Sequence, residues 1–159
     1  MKFDSSTGCI DILPGLSLGR GMTRKDVMAS SADWEEWDFF DNAAIALRSI
    51  IRLPNKNVSP RTMLVVYVRP EDQLIAFWNI SLGNVSNGPQ KRPEGKYKNL
   101  MRSWFKDMFD TQLPCSGEWG HIDASYDPWN QYAGVVCNYR ERFIDEHDWN
   151  VYKSQNKIK

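Results

Sequence analysis

Tyr97, Leu100, Met101, Trp104, Phe105 and Met108 recur at i, i+3, i+4, i+7, i+8 and i+11 in a chain whose other apolar runs mostly alternate. That spacing predicts an amphipathic helix, with Lys98, Arg102, Lys106 and Asp107 on its polar side. A Met-and-aromatic stripe of this kind faces a core rather than a cofactor. A helix with one apolar face among period-two segments must bury that face on a sheet. The expected fold is therefore α+β, an antiparallel β-sheet meander packed against two principal helices.

The strands are read from alternation and turn chemistry. Cys9 to Leu13 alternates and stops at Pro14-Gly15. Thr23 is a helix N-cap with Asp26 as its capping-box partner, and predicts a short helix over 24–29 with Val27 and Met28 inward. Trp34 to Phe40 reads as an aromatic-rich strand. In Ile45 to Leu53 the residues Ile45, Leu47, Ser49, Ile51 and Leu53 share one face. Met63 to Val68 and Leu74 to Leu82 flank the turn Arg69-Pro70-Glu71-Asp72 as a hairpin. Trp119 to Tyr126 and Gly134 to Tyr139 form a second hairpin around Asp127-Pro128-Trp129-Asn130, and the tail from Asp148 adds a short strand or helix. At 159 residues the chain is expected to be a single domain, with possible halves 1–82 and 96–159 joined by the Gly- and Pro-rich linker 83–95. The order of elements hints that both halves place helices on one face of the sheet.

Charge excludes one class of function. Lys and Arg number 20 and Asp and Glu number 20, so the basic excess of a direct nucleic-acid binder is missing. The charges are segregated all the same. Asp33 to Asp41 contains five acids, Lys91 to Lys106 six bases against Glu94, and Glu141 to Asp148 four acids against Arg142. Such runs are solvated faces, or they steer a charged protein partner. Cys9, Cys115 and Cys137 form no close pair, which suits a reducing compartment. No apolar export segment opens the chain and no run is long enough for a membrane span, so a cytoplasmic location is expected.

The sequence offers little chemistry. Only His121 and His147 are present, and neither sits in a nucleophile or metal-ligand motif, so no catalytic residue, metal or cofactor is assigned. Gly19-Arg20-Gly21 before a helix lacks the remainder of a phosphate-binding fingerprint. A small enzyme using His121 with Asp123 or Asp127 is the rival reading. Surface recognition is the leading one. Tyr126, Asp127, Trp129 and Asn130 lie at a bend that cannot bury all of its aromatics. Trp34 and Trp37 interleave with Glu35, Glu36 and Asp38, the composition of an aromatic anchor with a charged rim, although core packing would explain the same tryptophans.

The segment Leu13 to Val27, with Gly21-Met22-Thr23 and Val27, followed by Val65 to Trp78, resembles BamE/SmpA-type and β-lactamase-inhibitor-like modules, in which a short helix precedes a meander used for protein contacts. The resemblance covers the first half and implies an adaptor or assembly role; lipid anchoring is not implied, since no export segment precedes Cys9. As a class, the chain also resembles the immunity proteins of bacterial polymorphic toxin systems, including contact-dependent growth inhibition. That resemblance implies a non-enzymatic domain that binds and occludes a cognate protein toxin. A toxin with a basic face would suit the acidic segments.

Overall fold

A computed structural model of the chain describes residues 1–38, 45–53, 61–84, 94–127 and 132–158. In chain order the elements are β1 (Lys2–Asp4), β2 (Cys9–Leu13), β3 (Leu16–Leu18), α1 (Arg24–Met28), β4 (Glu35–Asp38), β5 (Ile45–Arg52), β6 (Arg61–Val68), β7 (Ile75–Asn84), α2 (Glu94–Phe109), β8 (Cys115–Gly117), β9 (Gly120–Asp127), β10 (Tyr132–Tyr139) and α3 (Glu146–Gln155), with a 3-10 turn at Arg140–Arg142 before α3. The fold is α+β and all strand pairings are antiparallel. β1–β2–β3 form a small sheet, and β4–β5–β6–β7–β10–β9–β8 form a large one. β7 and β10 pair along most of their length, so the large sheet runs without a break between residues on either side of 83–95.

The apolar stripe of α2 faces the sheet as its spacing predicts, although Leu100 and Met108 are only partly buried and Phe109 joins the buried set. Tyr97, Met101, Trp104, Phe105 and Phe109 are buried, and they meet Ile122, Ala124, Val135 and Cys137 from β9 and β10 in the main core. The small sheet closes another side of this core. Phe3 lies edge-on to Phe105 and Trp119, with ring centroids 5.8 and 5.7 Å apart. A buried relay ties the two sheets together: Trp78 Nε1–H donates to Tyr139 Oη at 3.0 Å, and Tyr139 Oη donates to the Gly8 carbonyl at 2.8 Å. Gly8 has φ +74°, and a Cβ there would stand 2.5 Å from the Trp119 ring, so both conformation and space require glycine.

Thr23 and Asp26 form the reciprocal capping box of α1. Val27 is buried, but Met28 is 42% exposed, which corrects the expectation that both face inward. Adjacent helical residues point ~100° apart, so a five-residue helix on one contact surface buries only one of them. β1, β3 and β8 are three residues each, too short to show a period. The tail forms a helix, N-capped by Asp145 accepting from the Asp148 N–H at 2.9 Å. It does not join α2. Tyr152 of α3 meets His121 and accepts from Asn138 Nδ2 at 3.0 Å, on the sheet face opposite the main core. The expectation of helices on one face only is therefore corrected: His121 and Asn138 are polar residues in otherwise core-grade strands, and burying them calls for a partner that α3 supplies.

Candidate partner-binding face

Strand register sorts the residues of the large sheet's second face into cross-strand rows. One row runs His121, Asn138, Phe77, Tyr67, Ala46, Trp37 by backbone position; the next runs Asp123, Val136, Asn79, Val65, Arg48, Glu35; a third runs Ser125, Gly134, Ser81, Met63, Ile50. Side chains two apart on a strand share a face, so these rows form one surface. Its projected area from β4 to β9, five steps of ~4.8 Å by about eight residues of ~3.3 Å, is roughly 600 Å². Much of that area is already covered, since Ala46, Val65, Tyr67, His121 and Asn138 are each 7% exposed or less, so the surface left for a partner falls below the ~800 Å² that a stable complex buries on each side.

The face is mixed in character. Ala46, Val65 and Tyr67 form a second small apolar cluster with Met63 and Phe77 against it. Tyr67 stacks on Phe77 at 4.0 Å and 14°, and the Arg142 guanidinium lies 4.3 Å above the same Phe77 ring. Arg142 also donates to Asn138 Oδ1. Ile50 is 48% exposed on this face. Two acids of β4 are already engaged: Glu35 pairs with Arg48 and Glu36 with Arg24. Their Coulombic reach toward a distant basic surface is correspondingly reduced.

The residues singled out in the sequence fall into two groups at different parts of the sheet. Trp34 is half-buried, rests against the main core and donates from Nε1 to Ser30 Oγ at 2.8 Å. Glu35 and Glu36 are exposed on the edge strand, and Trp37 and Asp38 pair there with Ala46 and Ile45 through the backbone. Tyr126 also turns to the core side, stacked on Tyr97 at 4.5 Å and 12°. Asp127 ends β9 opposite Tyr132, while Trp129 and Asn130 lie outside the described residues. Arg142 and Ile144 were not picked out by sequence reasoning. The one available signal was an apolar Ile144 standing alone inside the acidic segment Glu141 to Asp148.

His121 and Asp123 lie two apart on β9 but form no dyad. Both Asp123 carboxylate oxygens accept from Arg102, at 3.0 and 2.9 Å, and Oδ1 also accepts the Ala124 N–H at 2.7 Å. His121 is buried beside Tyr152 and its Nδ1 has no hydrogen-bond partner. Burial holds its pKa below the ordinary value, against the opposing pull of Asp123, so the imidazole is neutral near pH 7. A carboxylate committed to a guanidinium is poorly placed to orient a general base. Among the described residues no cluster of three His, Cys, Asp or Glu side chains has metal-site geometry.

The comparisons with known proteins agree on one class. No curated protein matches the chain. The chain is similar to one protein in a solved structure described as "Rhs1-CT in complex with cognate immunity protein RhsI1", with 32% identity, a TM-score of 0.81, and coverage of 100% of this chain and 99% of that one. The family model described as "RhsI1 immunity protein" matches residues 1–158. This chain belongs to the RhsI1 immunity protein family.

Proposed function

We propose that this protein protects its cell by binding the C-terminal domain of a cognate Rhs-type toxin and occluding it, without chemistry of its own. The observation that carries this reading is whole-length likeness to an immunity protein solved with its toxin. The exposed parts of the large sheet's second face, Glu35 and Ile50 among them, support it, since rigid strands carrying mixed apolar and charged groups suit protein recognition. The engagement of Asp123 by Arg102 argues against the His121–Asp123 enzyme reading. The adaptor reading of the first half rests on a helix start alone, which here is a five-residue capped helix. The neutralisation reading treats 1–159 as one folding unit, acting in the cytoplasm where an incoming toxin would be met. Among the described residues no helix is long and apolar enough to cross a membrane. Contact-dependent delivery of that toxin, as in growth-inhibition systems, belongs to the same reading.

Co-expression tests it. The toxin domain encoded beside this gene should arrest growth alone, and growth should return when this chain is supplied. The purified pair should elute as a stoichiometric complex. Continued arrest together with the absence of a complex refutes the proposal.

A further inference from the structure

We propose that the cleft between the β6–β7 turn and the segment leading into α3 is the anchor site for the toxin domain, and that it receives an apolar toxin side chain flanked by a carboxylate. This inference rests on the neutralisation reading above and adds the place and chemistry of contact. The cleft has a volume of about 460 Å³, with Val68, Ala76 and Phe77 as its apolar wall, Arg69 and Glu71 on the turn side, and Glu141, Arg142 and Ile144 on the other. Ile144 is 90% exposed, more than any other large apolar residue among the described ones. A single exposed isoleucine is unremarkable on a surface, but one beside an apolar cleft extends it into a continuous apolar site.

Charge sets the second requirement. Arg20, Arg24, Arg48, Arg69, Arg102 and Arg140 each face a carboxylate. Arg142 does not: among the described residues its guanidinium meets the Phe77 ring and the Asn138 side chain, and no acid. Glu141, on the same rim, is directed to Arg20 at 2.8 Å and leaves Arg142 uncompensated. A guanidinium held 4.3 Å over a ring centroid and hydrogen-bonded to Asn138 is organised in advance for a carboxylate. Glu35 and Glu36 of β4, by contrast, have their cations in place, and Glu71 also lines the cleft, so the complementary negative group on the toxin belongs at Arg142 and away from the β6–β7 turn.

Titration of the purified cognate toxin domain into this protein decides the matter. Ile144→Asp and Arg142→Glu should each weaken binding about thirtyfold or more, the size of an interface hot spot. Glu36→Ala on β4 should stay within about threefold of wild type. Ile144 is 90% exposed, so Ile144→Asp should melt as wild type does and remains decisive even if Arg142→Glu fails to fold. Wild-type binding with Ile144→Asp undiminished overturns the anchor site alone. No wild-type binding removes the neutralisation reading and the anchor site with it.

Discussion

Replacing Tyr139 by Phe removes one oxygen and leaves the ring, so it isolates the hydrogen-bond relay between the two sheets. That oxygen accepts from Trp78 Nε1 at 3.0 Å and donates to the Gly8 carbonyl at 2.8 Å, and Trp78 and Tyr139 are both fully buried. Without it an indole N–H and a backbone carbonyl are left in the core with no partner. Each such group costs about 1–3 kcal/mol, and the pair roughly 2–4 kcal/mol when partial relaxation is allowed. A domain of this length shifts its melting temperature by about 3 °C per kcal/mol, so the expected loss is roughly 6–12 °C. Differential scanning calorimetry and urea unfolding should agree on it. Tyr132→Phe, at a strand end where the side chain is partly exposed, should change stability by less than about 0.5 kcal/mol. If Tyr139→Phe falls within that same margin, the relay is not what joins the small sheet to the large one.

Other perturbations follow from the same geometry. Gly120 has φ +142°, and a Cβ there would sit 1.9 Å from the Asn138 carbonyl oxygen, so Gly120→Ala should lose about 3 kcal/mol or more and yield little soluble protein. A soluble, fully cooperative Gly120→Ala would refute this. Gly95, whose added Cβ meets nothing within 4 Å, is the control. Thr23→Ala breaks the capping box and should cost about 1 kcal/mol in urea unfolding. For His121 the folded pKa lies below the ordinary 6.5, so the unfolded chain takes up its proton first as pH falls. Stability from this group is then fully present above pH 6.5 and is lost as pH drops toward the folded pKa. His121→Gln should flatten unfolding free energy against pH in that window. The carboxylates held low, Asp26 and Asp72 among them, start from 3.8 and act at more acid pH.

The fold was legible where a period had room to repeat. α2 shows three turns of its stripe, β5 alternates over eight residues, β6 is a β-branched run with β7 as its hairpin partner across a turn, and the Thr23–Asp26 box marks a helix start by itself. α3 was only half visible, because one residue, Trp149, is buried along its length and no stripe results. The face opposite the core was harder to foresee. Phe77 and Arg142 are distant in sequence and meet only because β10 pairs with β7 in one register and the chain then turns back over it. The charge runs were hard to read for a related reason. A run shows its sign but not its partners, and Glu35, Glu36 and Arg102 find theirs on other elements.

The seam between β7 and β10 also governs when the protein becomes useful. Its two strands are about fifty residues apart in the chain, so the centre of the large sheet cannot close during synthesis until Tyr139 has left the ribosome. Until then the first meander has an open inner edge, a state prone to pairing with other chains. Protection of a cell in this arrangement depends on a standing stock of finished molecules, since a nascent chain offers an attacker neither a closed sheet nor an assembled cleft.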